Sequence, residues 1–180
     1  PGGVGSSANA GLDIAQGDYI AFADGDDLYD TGFLERLYNE ALRAGADIAK
    51  CNYVVFDTKT NEESSPEDKH LWQDFPEVTP VDLSVQSRKK MLRFIAVPWR
   101  KLYKREILTD IRFPVGDFLY EDNPFHWFTL TQAQRMVVVP EVLCRHRMGR
   151  QGQTMAASGT KLFKIFGHHD RIKDWLERRG

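Results

Sequence analysis

Three carboxylates stand within four residues at Asp24, Asp26 and Asp27, with Gly25 between the first two. Crowded carboxylates repel: two unit charges about 4 Å apart cost roughly 4 kcal/mol at an effective dielectric near 20. A divalent cation removes that cost. Mg²⁺ or Mn²⁺, sharing its sphere with diphosphate oxygens, suits such an oxygen-rich and incompletely caged site. Gly25 lets the backbone turn sharply enough for its neighbours to converge. The same residues would equally make a solvated turn before a helix, and a D-x-D pair alone does not choose between the two. An EF-hand calcium loop is excluded, because the fifth and sixth positions from Asp24 are Leu28 and Tyr29, where a ligand and a glycine are required.

A second acidic group, Glu121-Asp122, precedes Asn123-Pro124 and follows the aromatic run Phe118-Leu119-Tyr120. Proline just after Asp or Asn is a helix-start signal. A carboxylate there is held by backbone N–H groups and can act as a general base toward a hydroxyl, or it can simply cap the helix. Downstream, Arg145-His146-Arg147 with Arg150 could stabilise a departing diphosphate, or form a solvated basic loop. His146 could also ligate metal through its imidazole.

Residues 1–11 are rich in Gly, Ser and Ala and read as loop, with a short helix from Leu12 ending near Gly17. Asp18–Ala23 is a strand with apolar residues on both faces, as expected between two helical layers, and it delivers Asp24 to its carboxyl end. In a parallel α/β sheet that end is where ligands bind. Thr31 is the expected cap of a helix whose Phe33, Leu34, Leu37, Tyr38, Ala41 and Leu42 recur at helical spacing, closed by Gly45. A strand over Ala46–Phe56 completes a βαβ unit. Asp57 to about Ser84 is polar and proline-bearing and reads as a long surface excursion. Gln86–Ala96 is expected as a basic amphipathic helix, Pro124–Gln132 as another, Met136–Arg145 as a strand broken by Pro140, and Thr160–Arg179 as an amphipathic helix.

The chain has 180 residues, 28% charged and 42% hydrophobic, with a formal net charge of −2. That is enough for one core and gives no basic excess for nucleic acid. No apolar run reaches the length of a membrane span, and no charged-then-apolar stretch reads as a signal peptide in these residues. Two cysteines, Cys51 and Cys144, make at most one bridge and suit buried thiols in a reducing compartment, so the expected location is the cytoplasm.

In order along the chain, these elements resemble glycosyltransferase family 2, whose members have the GT-A fold. The pattern N-x-G-L-x-x-A-x-G-x-Y-I-x-F-x-D-x-D-D runs from Asn9 and Gly11 through Asp24, Asp26 and Asp27. Trp99–Glu106 (W-x-K-L-Y-K-R-E), Phe113–Gly116 (F-P-x-G) and Tyr120–Phe125 (Y-E-D-N-x-F) resemble its acceptor-side half. The resemblance implies an α/β, Rossmann-like mixed sheet flanked by helices, in one domain over residues 1–180 with residues 160–180 as a C-terminal helix. It implies that Asn9, Gly11, Asp24, Asp26, Asp27 and Arg147 face the donor, that Asp24, Asp26 and His146 face the metal, and that Asp122 is the base. The implied reaction is a direct displacement with inversion at the anomeric carbon. The resemblance likewise implies a nucleotide-sugar donor, a UDP-sugar first, and an acceptor that is a saccharide or lipid-linked saccharide of a bacterial surface or exopolysaccharide.

Two departures stand out. The family commonly has Arg before the first Asn, where this chain has Ala8, and it normally opens with a βαβα stretch that binds the nucleotide base. We therefore expect an N-terminally truncated domain that alone binds donor weakly or not at all. Two alternatives remain at this level: a haloacid-dehalogenase-like phosphatase, although Leu28 stands where its motif wants Thr or Val, and a non-catalytic saccharide-binding module. The C-terminal helix, with six Lys or Arg between Lys161 and Arg179 and an apolar face including Trp175, could pack on the domain or touch a membrane surface peripherally.

Overall fold

Side chains on neighbouring strand positions point to opposite faces of a sheet, and the central strands here use both. The computed structural model describes residues 3–116, 119–149, 163 and 165–179. Strands β3 (Ile48–Asp57), β6 (Lys101–Lys104) and β7 (Arg135–Met148) form the middle. Ile48, Tyr103, Met136 and Val138 enter one core, and Ala49, Leu102, Val137 and Val139 the other. The first core is closed by helices α5 (Asp122–Gln132) and α6 (Ile165–Arg179), the second by α2 (Phe33–Ala44) through Phe33, Leu37 and Ala41.

The main sheet path is β1-β6-β3-β7-β2, with β1 at Tyr19–Ala21 and β2 at Leu28–Tyr29. β1 and β3 both run antiparallel to β6, so they are parallel to each other, and the expected βαβ unit exists with β6 inserted between its strands. β3 and β7 are parallel neighbours. β1 is an edge strand and only half-buried, not enclosed between two layers as its apolar composition suggested.

Four local expectations are corrected. The stretch read as an N-terminal loop is helix α1 (Gly3–Ile14); its small residues allow close seating, since a Cβ on Gly5 would lie 2.5 Å from the Pro114 carbonyl oxygen. The cap of α2 is Gly32, not Thr31, and Asp30 Oδ1 accepts from the Gly32 N–H at 2.9 Å; Gly45 closes the helix in the left-handed region at φ 58°. The polar excursion after β3 is built structure: β4 (Glu62–Ser64), α3 (Lys69–Trp72) and β5 (Thr79–Asp82). It buries Leu71, Trp72, Phe75 and Leu83, few in number but large enough to anchor it. Helix α4 spans Val85–Met91, shorter than expected, with Ser84 Oγ accepting from the Ser87 N–H at its start.

β7 does not break at Pro140. The strand continues, and the register against β3 shifts after Val139, where proline has no N–H to give the ladder. α6 packs inward: Trp175 stacks on Phe128 at 4.4 Å between ring centres, and its indole N–H donates to Thr131 Oγ1 at 3.0 Å. Among the described residues no helix is long and apolar enough to cross a membrane. Phe118, Arg150, Lys161, Leu162 and Lys164 lie outside the described residues.

Candidate active site

The end of β1, the start of α5 and the far end of β7 supply the acidic and basic groups. After β1 the chain turns at Asp24–Asp27, where the Asp27 N–H donates to the Asp24 carbonyl at 3.2 Å. The Asp24 N–H donates to the Tyr29 hydroxyl oxygen at 3.0 Å, tying the turn to β2. Because β2 pairs with β7 through Leu28–Arg145 and Tyr29–Cys144, this turn is held beside His146 and Arg147. Asp27 is buried, with its Oδ1 3.0 Å from His146 Nδ1 and accepting from the Arg147 backbone N–H at 2.9 Å. The imidazole lies flat against Trp99, with ring centres 5.3 Å apart and planes 15° from parallel. Hydrogen bonding to Asp27 raises the His146 pKa, against the opposing effect of burial.

Asp122 begins α5. Two residues before it, Tyr120 has φ +64°, a left-handed conformation that costs a non-glycine residue roughly 1–2 kcal/mol and turns the chain ahead of Glu121-Asp122. A helix N-terminus favours a negative charge, yet burial dominates at Asp122. Burial, with Glu121 and Asp24 nearby, lifts its pKa to about 7, against the lowering effect of Lys101. Asp24 is raised too, by burial first and then by Asp27 and Asp26, with Glu121 contributing. The two acidic segments, far apart in sequence, thus sense each other electrostatically and share one region.

Not every predicted donor residue faces that region through its side chain. Asn9 spends its amide on α1's seat: Oδ1 accepts from the Phe113 N–H at 2.8 Å and Nδ2 donates to the Phe113 carbonyl at 2.9 Å. Gly11 lies on an open part of α1, where a Cβ would meet nothing within 4 Å. Arg147 is half-buried at the end of β7, beside His146. Among the described residues, no three His, Cys, Asp or Glu side chains gather closely enough to hold an ion unaided.

Sequence reasoning missed a buried polar layer beneath the site. Lys101 Nζ lies 3.1 Å from His126 Nδ1, both fully enclosed, and burial pushes both pKa values down. Arg100, equally enclosed, donates to Asp68 Oδ2 at 2.7 Å. The only sequence signal was the alternation of basic and large apolar residues through Trp99–Lys104, which reads as amphipathic surface unless the strand is central.

A model of glycosyl transferase family 2 matches residues 1–119, that is 119 of the 180 residues. The chain belongs to glycosyl transferase family 2. This sets aside the phosphatase alternative. The chain is 30% identical over 155 residues to the uncharacterized glycosyltransferase EpsJ of Bacillus subtilis, covering 81% of this chain and 42% of EpsJ. It is 25% identical over 152 residues to glycosyltransferase GlyA of Streptococcus pneumoniae, covering 81% of this chain and 21% of GlyA. The chain therefore spans less than half the length of either relative. A crystal structure of S. aureus TarS 1-349 in complex with UDP-GlcNAc superposes with a TM-score of 0.75 at 21% identity, over 97% of this chain and 47% of that one. The fold is thus GT-A, as expected for family 2.

Proposed function

We propose that this chain carries the diphosphate, metal and acceptor-base side of an inverting glycosyltransferase, which moves a sugar from a UDP-sugar or related donor to a hydroxyl of a saccharide or lipid-linked saccharide in surface polysaccharide synthesis. The observation that carries the reading is the convergence of the end of β1 on α5, where Phe22 packs edge-on against Phe125 with ring centres 5.3 Å apart, which leaves Asp24 and Asp122 within electrostatic reach of each other. The complex of TarS with UDP-GlcNAc supports a nucleotide-sugar donor.

In this reading Asp122 accepts the proton of the acceptor hydroxyl as its oxygen bonds to the anomeric carbon, while the bond from that carbon to the diphosphate breaks on the opposite face. One base suffices for a single inverting displacement. A pKa near 7 suits it, matching proton affinity to working pH. Asp24 and Asp26 are the metal ligands. A cation such as Mn²⁺ or Mg²⁺ needs only one or two carboxylates when diphosphate oxygens and water complete its sphere, and it would neutralise the departing charge. Burial and then the neighbouring charges of Asp27 and Asp26 raise the Asp24 pKa against the lowering effect of His146, and a cation would relieve that crowding. His146, engaged with Asp27 through Nδ1, serves better as a cationic lid on the diphosphate with Arg147 than as a ligand.

The test is calorimetric titration of UDP and Mn²⁺, with a transfer assay, on the full-length polypeptide that carries this sequence. Asp26→Ala is expected to abolish Mn²⁺-dependent UDP binding. Asp122→Asn is expected to retain binding and to slow transfer by roughly 10²–10⁴-fold. Near-normal transfer by Asp122→Asn rules out the base assignment.

A further inference from the structure

The interior beneath α5 holds more positive charge than negative. Lys50 on β3 and Lys101 on β6 are register partners, Arg100 precedes Lys101, and all three are enclosed with Asp68 as the buried carboxylate among them. Asp68 Oδ2 accepts from Arg100 at 2.7 Å, and Lys50 Nζ lies over the Phe94 ring. Lys101 has neither arrangement. Among the described residues its hydrogen-bond partner is His126 Nδ1, at 3.1 Å, and no carboxylate lies within 4 Å of its Nζ. An enclosed ammonium must lose its proton or find a negative charge.

The fold brings one carboxylate to that place. Lys101 and Tyr103 are two residues apart on β6 and so point to the same face. Tyr103 meets Phe125 edge-on, with ring centres 5.5 Å apart, and Lys101 meets His126, so this face of β6 carries the start of α5. The half-buried Asp122 stands four residues before His126, on the same side of the helix. Each charge favours the other: Lys101 lowers the Asp122 pKa, and Asp122 leads Asp68 among the charges that favour protonated Lys101. Glu121 and Asp24 oppose ionisation of Asp122, and Arg100 opposes the charge on Lys101. Burial keeps the Tyr103 hydroxyl protonated. Burial, with Lys101, Lys50 and Arg100, keeps His126 neutral, so that its Nδ1 can accept from the ammonium.

We infer that Lys101 is a positioning residue for the base: held by His126, it supplies the enclosed positive charge against which the Asp122 carboxylate stays ionised before the acceptor arrives. The gain is a larger fraction of enzyme with an ionised base near neutral pH, against a somewhat weaker base, the balance that governs general-base catalysis. The role rests on Asp122 being the base.

The pair is tested directly by NMR of the full-length polypeptide carrying lysine labelled with ¹³C at Cε, with Lys101 assigned through its contact with the His126 ring. Linkage is reciprocal, so Asp122→Asn should lower the midpoint of the Lys101 titration by about one unit, a tenfold loss of proton affinity. An unmoved midpoint overturns the inference. In the transfer assay with Mn²⁺ and donor saturating, Lys101→Met removes the charge and keeps an unbranched side chain. It should move the rising limb of the pH–kcat profile up by about one unit, so that transfer falls about tenfold at pH 6 and nears the unsubstituted rate on the alkaline plateau, with donor KM unchanged. A rate lowered equally at every pH shows a structural lysine and overturns the role; if Lys101→Met does not fold, the Lys101 titration decides. Near-normal transfer by Asp122→Asn removes the base reading and this role with it, whereas lost transfer beside an unmoved Lys101 removes the pair alone.

Discussion

At the scale of the residue, Asp122 shows how burial can outweigh a helix terminus. Its carboxyl titrates near 7 in the folded chain against an ordinary 3.8, so the folded state holds the proton more tightly than the unfolded state. The sign follows from linkage: the group costs no stability below about pH 4, costs progressively more as pH rises toward 7, and a constant amount above. Asp122→Asn has no charge to bury. It should therefore match the unsubstituted chain near pH 3.5 and exceed it near pH 8, by on the order of 2 kcal/mol after allowance for partial solvent access. Urea denaturation in EDTA across that range measures this, and a gain independent of pH would falsify the assignment of a half-buried, proton-holding carboxyl. The same substitution removes the proposed base, so on that proposal stability and turnover should move in opposite directions.

At the scale of the element, α1 shows a helix chosen by its seat and not by its propensity. Its sequence is rich in Gly, Ser and Ala, and Gly costs a helix interior about 1 kcal/mol relative to Ala. Gly5 is nonetheless required, because a Cβ would stand 2.5 Å from the Pro114 carbonyl oxygen and 3.2 Å from Phe113 Cβ. The Asn9–Phe113 hydrogen-bond pair fixes the same contact one turn later. Propensity and packing thus predict opposite outcomes for Gly5→Ala. Packing should win, with a loss of about 1–3 kcal/mol read as a lower urea midpoint at unchanged slope. A stabilised variant would show that α1 is not seated on the Phe113–Pro114 segment.

At the scale of the whole molecule, the segment between β3 and α4 is tied to the sheet by one enclosed ion pair. Asp68 accepts from Arg100 Nη2 at 2.7 Å and from the Ile95 N–H at 3.1 Å through Oδ2, and from the Trp72 indole N–H at 3.2 Å through Oδ1. Burial pushes its pKa up, but the Arg100 charge and these hydrogen bonds outweigh burial and leave it below 3.8. This contribution is present above the unfolded value and is lost as pH falls through the folded one. Asp68→Ala strands the Arg100 guanidinium in the interior and should cost about 3–5 kcal/mol. Asp68→Asn, which keeps hydrogen-bonding atoms in place, should cost less. Equal and small losses in thermal denaturation would mean that the segment is held by Leu71, Trp72 and Phe75 alone.

What the sequence determined by itself was local. The 3.6-residue spacing of Phe33, Leu37 and Ala41 with Gly45 beyond them specified α2 and its C-terminal cap, the apolar run into Asp24-Gly25-Asp26-Asp27 placed a carboxylate cluster after a strand, and the ordered motifs pointed to the family. Periodicity, capping and turn chemistry act over a few residues and can be read there. Only the tertiary structure decided that β6 enters between β1 and β3, that Asp24 comes to sense Asp122, that Asn9 clamps Phe113, and that Lys50, Arg100 and Lys101 are enclosed. Strand order is set by which distant surfaces bury each other, and no short window encodes it. A basic residue on a central strand carries the same local signature as one on a solvated edge.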